Sequence, residues 1–264
     1  MKAVELDRID TWPTTVVKRL ERARNAFDKF EAGRITFEER CEHEPMLKYT
    51  PWNNPHQDER DETVRDLDAD LAGGHLLGYH CTRLHRDEVA AIQKGGLSIL
   101  TPELVTARVQ ARLSAGDISP QEAAALLGRN RTNEEYRIGR VWFAFTTSLL
   151  RQESGIHRLF RSWGGEAIYA DHEEGGQAGP VLRTIGSPCI IEAKVPIGDL
   201  EVFPSIGEIV VRRFFSKVDV PSEHSVECEG HVRTDVKGIH RVVLRNDPSF
   251  EALTGCSAWA EIPR

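Results

Sequence analysis

The feature that most constrains this chain is a change of apolar period at Gly73-Gly74. Ahead of it, Val16, Leu20, Ala23, Phe27 and Phe30 recur every three or four residues, the spacing of one face of an α-helix. Behind it, apolar residues come in short β-branched and aromatic runs, with helical stretches and glycines between them. A chain with both patterns is expected to be α+β. A helical segment, residues 1–74, would precede a sheet-bearing domain, residues 75–264.

Local signals place the elements. Thr11 and Pro13 suit a helix start, since proline fits a first turn that needs no N–H from it, and Gly33 is expected to close that helix. Pro45, Pro51 and Pro55 break up residues 44–57. Residues 58–71 hold seven acids, yet Val64, Leu67 and Leu71 keep one helical face. Beyond the glycine pair we expect a strand over 76–82 and a helix over 87–94 with Val89 and Ile92 inward. Gly95-Gly96 would end that helix, and residues 97–100 would run extended. Thr101-Pro102-Glu103 and Ser119-Pro120-Gln121-Glu122 mark two more helix starts. The remaining expectations are a strand over 140–147, a helix over 153–170, and strands over 189–195, 208–214 and 240–244.

Composition excludes several classes. Of 264 residues, 40% are hydrophobic and 28% charged, so fibrous and mainly disordered chains do not fit. A chain this long can bury about 70% of its open surface. No stretch approaches the ~20 apolar residues of a membrane span. The first ten residues lack the order of a secretory signal, which makes a cytoplasmic protein the expectation. Five scattered cysteines without a CxxC read as reduced thiols. A net charge of −7 argues against broad electrostatic binding to nucleic acid or an anionic membrane. No Walker-type loop, GxSxG elbow or HExxH is present. His224, Cys228 and His231, with His240 further on, carry zinc-type donors. Their spacing matches no defined zinc motif, and Glu223, Glu227 and Glu229 make the stretch a charged loop, so no metal is expected.

The chemistry-bearing segment is Gly78-Tyr79-His80-Cys81-Thr82, then a helix, then Ile92-Gln93-Lys94-Gly95-Gly96. It resembles the opening of the catalytic domain in the diphtheria toxin and exotoxin A group of ADP-ribosyltransferases, the histidine type. Similar segments follow in order: 143–148 (Phe-Ala-Phe-Thr-Thr-Ser), 188–196 around Ile190-Ile191, and Glu208-Ile209-Val210-Val211. The resemblance spans residues 76 to about 220.

It implies a pair of packed, strongly bent antiparallel sheets with an NAD cleft between them, and NAD as substrate. By resemblance Glu208 is the catalytic glutamate. It would open a strand and stabilise the oxocarbenium-like ribosyl cation left when nicotinamide departs. His80 would bond a ribose hydroxyl, the Cys81 backbone would clamp the nicotinamide carboxamide, and Thr82 would support the turn. Phe145 replaces the first ring-stacking tyrosine, and Trp163, beside Gly164-Gly165, or Phe160 would take the place of the second, with Tyr169 as a further option. Cys81 stands where the family has glycine.

Arginine-modifying members carry a second Glu or Gln two residues before the catalytic glutamate. Ile206 holds that place ahead of Glu208, which argues against arginine. The implied activity is transfer of ADP-ribose from NAD to a protein or nucleic-acid acceptor, as a bacterial toxin, effector or defence protein. An inhibitor or antitoxin partner stays open. The alternatives are an NAD glycohydrolase on the same fold and an inactive NAD- or partner-binding module. Residues 101–140 read as a helical insertion beside the cleft, made locally basic by Arg129, Arg131 and Arg137.

Overall fold

In the computed structural model, which describes residues 2–173, 178–215 and 228–261, helix α1 (Thr14–His43) starts beside Pro13 as expected. It does not stop at Gly33. A Cβ at Gly33 would stand 2.9 Å from Nδ2 of Asn54, which donates to the carbonyl of Phe30 at 3.0 Å. The glycine admits this packing, and one glycine inside a helix costs only about 1 kcal/mol against alanine. Helix α2 (Gln57–Leu71) packs on α1 with Leu67 and Leu71 buried, and Arg19 ties the two through Asp66 at 2.5 Å and Asp70 at 2.9 Å.

Strand β1 (His75–Leu84) and helix α3 (Arg86–Gly95) take their expected places, with Val89 and Ile92 packed on the main apolar cluster. Thr101 caps α4 (Pro102–Ala115) by accepting from the Leu104 N–H at 3.1 Å. Ser119 and Glu122 cap α5 (Pro120–Gly128) reciprocally. Strand β2 (Val141–Ala144) is shorter than expected because Thr147 opens α6 (Thr147–Leu150), donating its N–H to Asp7 at 2.6 Å. The single helix expected over 153–170 is two, α7 (Glu153–Arg161) and α8 (Glu166–Tyr169). Gly164 and Gly165 break it at φ 99° and 71°, a region other residues avoid. Helix α9 (Gly179–Leu182), strand β3 (Ser187–Pro196) and strand β4 (Leu200–Val202) follow.

The largest correction falls on residues 208–214. They are not a strand but part of helix α10 (Ile206–Phe215). Ser205 and Asp68 supply its first turn: Asp68 accepts from the Gly207 N–H at 2.6 Å and the Ser205 carbonyl from Ile209 at 3.0 Å. Residues 206–211 are all buried, so a short apolar run carried no period to separate strand from buried helix. Strand β5 (Glu229–Val232), which the sequence reading missed, then precedes β6 (Ile239–Leu244) and α11 (Pro248–Thr254).

The protein is mixed α+β with one six-stranded antiparallel sheet in the order β4-β5-β2-β1-β3-β6, rather than the expected pair of packed sheets. That sheet is unevenly joined. β1 pairs with β3 along its whole length, from His75 opposite Pro196 to Leu84 opposite Ser187. To β2 it is joined through Tyr79 opposite Ala144. Two three-stranded halves therefore meet at one residue pair and part beyond it.

One face of the sheet carries the main core. There Phe143, Phe145, Ile191 and Val195 pack with Leu20, Phe27, Leu67 and Ile209, so the N-terminal helices share a core with the strands. On the other face Tyr79 and Cys81 pack with Phe160, Phe250 and Trp259. Among the described residues no helix is long and apolar enough to cross a membrane.

Candidate active site

The place to look for chemistry is where β1 and β2 part. On the β2 side of β1, Val4 bonds the chain at both ends of one step: its N–H donates to His75 and its carbonyl accepts from Leu77, each at 2.8 Å. Backbone groups in a strand alternate between its two edges. Those of Cys81, four residues past Leu77, therefore face the same side. The register gives them no partner on β2. An N–H and a C=O turned toward the parting suit an amide-bearing ligand, whatever the side chain of Cys81 does. That side chain is buried, and burial pushes its thiol well above the usual range, so it stays protonated.

His80 bridges the gap. Its Nδ1 lies 2.9 Å from the carbonyl oxygen of Trp142 on β2, and its ring meets Phe143 edge-on at 6.0 Å. A carbonyl only accepts, so Nδ1 carries the hydrogen. Burial lowers the His80 pKa, which keeps the ring neutral near pH 7 and leaves Nε2 as an acceptor. Thr82, on the same face of β1, is buried.

Other expected residues fall elsewhere. Phe145 is 1% exposed inside the main core, 6.1 Å from Phe143, and so offers no ring face to a ligand. Trp163 is also fully buried. Its Nε1 donates to Glu88 at 2.7 Å, and the Arg108 guanidinium covers its ring at 4.9 Å. Glu208 lies on α10, buried, with one carboxylate oxygen on Arg60 and the other 2.8 Å from Nε of Arg212. Both oxygens are taken by guanidinium groups, an ion-pair role in a helical packing contact.

The sheet itself shows what the sequence reading passed over. Glu229 opens β5 in register with Ala144 on β2, which is itself in register with Tyr79 on β1. The three share one face of the sheet, and Glu229 sits two strand spacings, about 10 Å, from β1. Its side chain is exposed, and no ion pair holds it among the described residues. One row away, Trp142 is 40% exposed and lies tilted against His231, with ring centroids 4.6 Å apart. Burial lowers the His231 pKa, and its Nε2 sits 3.1 Å from Glu201 at an angle unfit for a hydrogen bond. The signal that could have found this strand was Gly230-His231-Val232 behind an acidic loop, too short to read alone.

The basic insertion is largely neutralised. Arg131 pairs with Asp171 at 2.8 Å, and Arg137 with Glu134 and Glu166 at 2.6 Å each. Arg131, Glu134 and Asp171 border, with exposed Arg129, an open groove of about 650 Å³, lined also by Asn130 and Asn133. Among the described residues no cluster of three metal-binding side chains occurs. His224 lies outside them. Cys228 packs in the main core, while His231 faces Trp142. Comparison with family models, curated proteins and solved structures returned no match to this chain.

Proposed function

We propose that this chain cleaves NAD at the nicotinamide–ribose bond and transfers ADP-ribose to a macromolecule, with the parting of β1 and β2 as its cleft. One relationship carries the reading. The Gly-Tyr-His-x-Thr strand stands at the parting, and Glu229, exposed and without an ion pair among the described residues, opens a strand one position beyond β2. The resemblance calls for a glutamate that opens a strand; Glu229 meets that description and Glu208 does not.

The chemistry follows from the geometry. The Cys81 backbone groups face the gap and suit the carboxamide of nicotinamide. His80 alternates with Tyr79 and so points to the other side of the sheet from Glu229. With the ribose lodged in the parting itself, neutral His80 would offer Nε2 to a hydroxyl from one side and Glu229 would approach from the other. Trp142, rather than Phe145, presents an open ring. As the C1′–N1 bond breaks, its electron pair leaves with nicotinamide, and the Glu229 carboxylate offsets the charge growing on the ribose. The acceptor then gives a lone pair to C1′ and releases a proton.

Reassigning the glutamate changes the acceptor reading. Ile206 counted against arginine only while Glu208 held the catalytic place. Two residues ahead of Glu229 stands Glu227, which lies outside the described residues. That spacing is the one arginine-modifying members carry, whereas His80 stands where those members have arginine, so the acceptor stays open between protein and nucleic acid.

The test is nicotinamide release from NAD by wild-type protein, Glu229→Gln and His80→Ala. Release by wild type should fall at least ~100-fold in Glu229→Gln at an unchanged melting temperature. Release that survives Glu229→Gln intact would overturn the assignment.

A further inference from the structure

Val4 and Ala144 share one edge of β1. Val4 runs parallel to the strand beside Leu76 and bonds His75 and Leu77, each at 2.8 Å, whereas Ala144 of β2 stands opposite Tyr79, further along. Residues 3–7 thus form a strap on the seam between the two halves of the sheet. Ala3 packs in the core on the Tyr79 face, and Val4 and Leu6 pack in the main core on the other. The strap is anchored behind: the Glu5 N–H donates to the Thr11 hydroxyl at 2.9 Å, and Nε1 of Trp12 donates to the Glu5 carbonyl at 3.0 Å.

Asp7 ends the strap. One of its carboxylate oxygens accepts the Thr147 N–H at 2.6 Å, and the other accepts from Arg213 on α10. Thr147 opens α6 just past the end of β2, so this bond ties the strap to the chain that leaves β2. Burial first, and then the carboxylates of Glu192 and Asp7, raise the Tyr79 pKa above its ordinary range, which sets Asp7 near the Tyr79–Ala144 pair. On this side of that pair both halves of the sheet are held, the β1 half by Val4 and the β2 half by Asp7. On the other side, at Cys81, they part, and the bond across the gap runs from Nδ1 of His80 to the Trp142 carbonyl at 2.9 Å. The pair is a pivot, with the strap on one arm and the parting on the other.

We propose that Asp7 sets how far β1 and β2 part: it is a positioning residue that acts through the Thr147 N–H on the β2 half and does not touch the substrate. This rests on the NAD-cleaving reading above for the ligand whose binding reports the opening. A carboxylate bonded to a backbone N–H is short and directional, and a guanidinium on its second oxygen keeps it from turning away. Loss of that bond frees the end of β2 to swing about the Tyr79–Ala144 pair, which moves the walls of the parting at Cys81 and His80. A ligand held by both walls loses heavily when they shift, since a misplacement of about 1 Å can cost ~100-fold.

The experiment measures NAD binding by calorimetry, and hydrogen exchange along the chain, in wild type, Asp7→Ala, Thr147→Pro and Glu122→Ala. Thr147→Pro removes the donor alone: Thr147 is the first residue of α6, where proline fits, and Thr146 before it is extended, as a residue ahead of proline should be. Glu122→Ala is the control, since that carboxylate accepts the Ser119 N–H at the start of α5, away from the seam. The NAD Kd should rise tenfold or more in Asp7→Ala and in Thr147→Pro and stay within twofold of wild type in Glu122→Ala. Exchange should quicken over residues 75–84 and 141–147 in the first two, with residues 187–196 as protected as in wild type. Melting temperatures confirm folding, and if Asp7→Ala does not fold, Thr147→Pro decides. A folded Asp7→Ala or Thr147→Pro protein with wild-type NAD affinity overturns the proposal, as does an equal loss in Glu122→Ala. So does faster exchange spread evenly over the sheet, which would make the bond a support of the whole fold. A wild type that binds no NAD overturns the NAD-cleaving reading instead, and the exchange pattern alone then decides the role of the strap.

Discussion

Nδ1 of His80 lies 2.9 Å from the carbonyl oxygen of Trp142, across the line where the two halves of the sheet separate. That contact fixes the tautomer and makes the histidine sensitive to acid. Burial lowers the pKa of His80, and of His231 as well. A histidine whose folded pKa lies below its unfolded value, about 6.5, binds fewer protons when folded. Its stabilising effect is full above that pH and is lost as pH falls toward the depressed value. The melting temperature should therefore fall between pH 7 and pH 5, above the range where carboxylates titrate. In His80→Gln the fall should be shallower. A flat profile in wild type would contradict the environment described for both rings.

Gly78, two residues before His80, is a packing requirement. A Cβ there would stand 2.9 Å from Val195, and 3.0 Å from both Phe143 and Phe145. These are ring and β-branched atoms inside the main core, with little freedom to yield. Gly78→Ala should destabilise the protein by about 1–3 kcal/mol, read by urea unfolding. The first glycine of the motif is thus explained by core geometry, with no ligand involved. Stability equal to wild type would mean that the strand relaxes more easily than this packing implies.

Glu208 and Glu229 should separate cleanly. Glu208→Ala removes a buried partner of Arg60 and should cost about 1–3 kcal/mol in unfolding, because the guanidinium then keeps only the partly exposed Asp61, at 3.0 Å, as a counter-charge. Glu229→Ala removes an exposed side chain with no ion pair among the described residues and should shift stability by less than ~0.5 kcal/mol. The opposite ranking in a thermal melt would reverse the two roles.

Much of the fold was legible because its signals are local. Thr101 and Ser119 announce α4 and α5 by their capping chemistry, and the Leu76–Leu77 run behind Gly73-Gly74 announces β1. Residues 206–215 misled for a physical reason: a helix buried on all sides of its first turns has no polar face to show a 3.6-residue period. The β-branched Ile209-Val210-Val211 then reads as a strand that Glu208 would open. The proposed site was only half legible. His80 and Cys81 lie on a strand long enough to recognise, whereas Glu229 and Trp142 lie on four-residue strands whose neighbours are set by long-range pairing. Gly33 misled in the opposite direction, since a glycine can admit a neighbouring side chain as readily as it ends a helix.

The two aromatic residues of β2 and its extension give the last prediction. Phe145 is 1% exposed among core residues, whereas Trp142, three residues earlier and on the other face, is 40% exposed beside His231. Phe145→Ala should therefore cost about 3–5 kcal/mol in stability, as large core truncations do. Trp142→Ala leaves no buried cavity and should cost under ~1 kcal/mol. Ligand binding should rank them in reverse. Without its open ring at the cleft, Trp142→Ala should bind NAD at least tenfold more weakly by calorimetry, a stacking loss of about 1.4 kcal/mol or more. A Trp142→Ala protein with wild-type NAD affinity would remove the ring from the site and turn attention to the side of the parting that carries His80 alone.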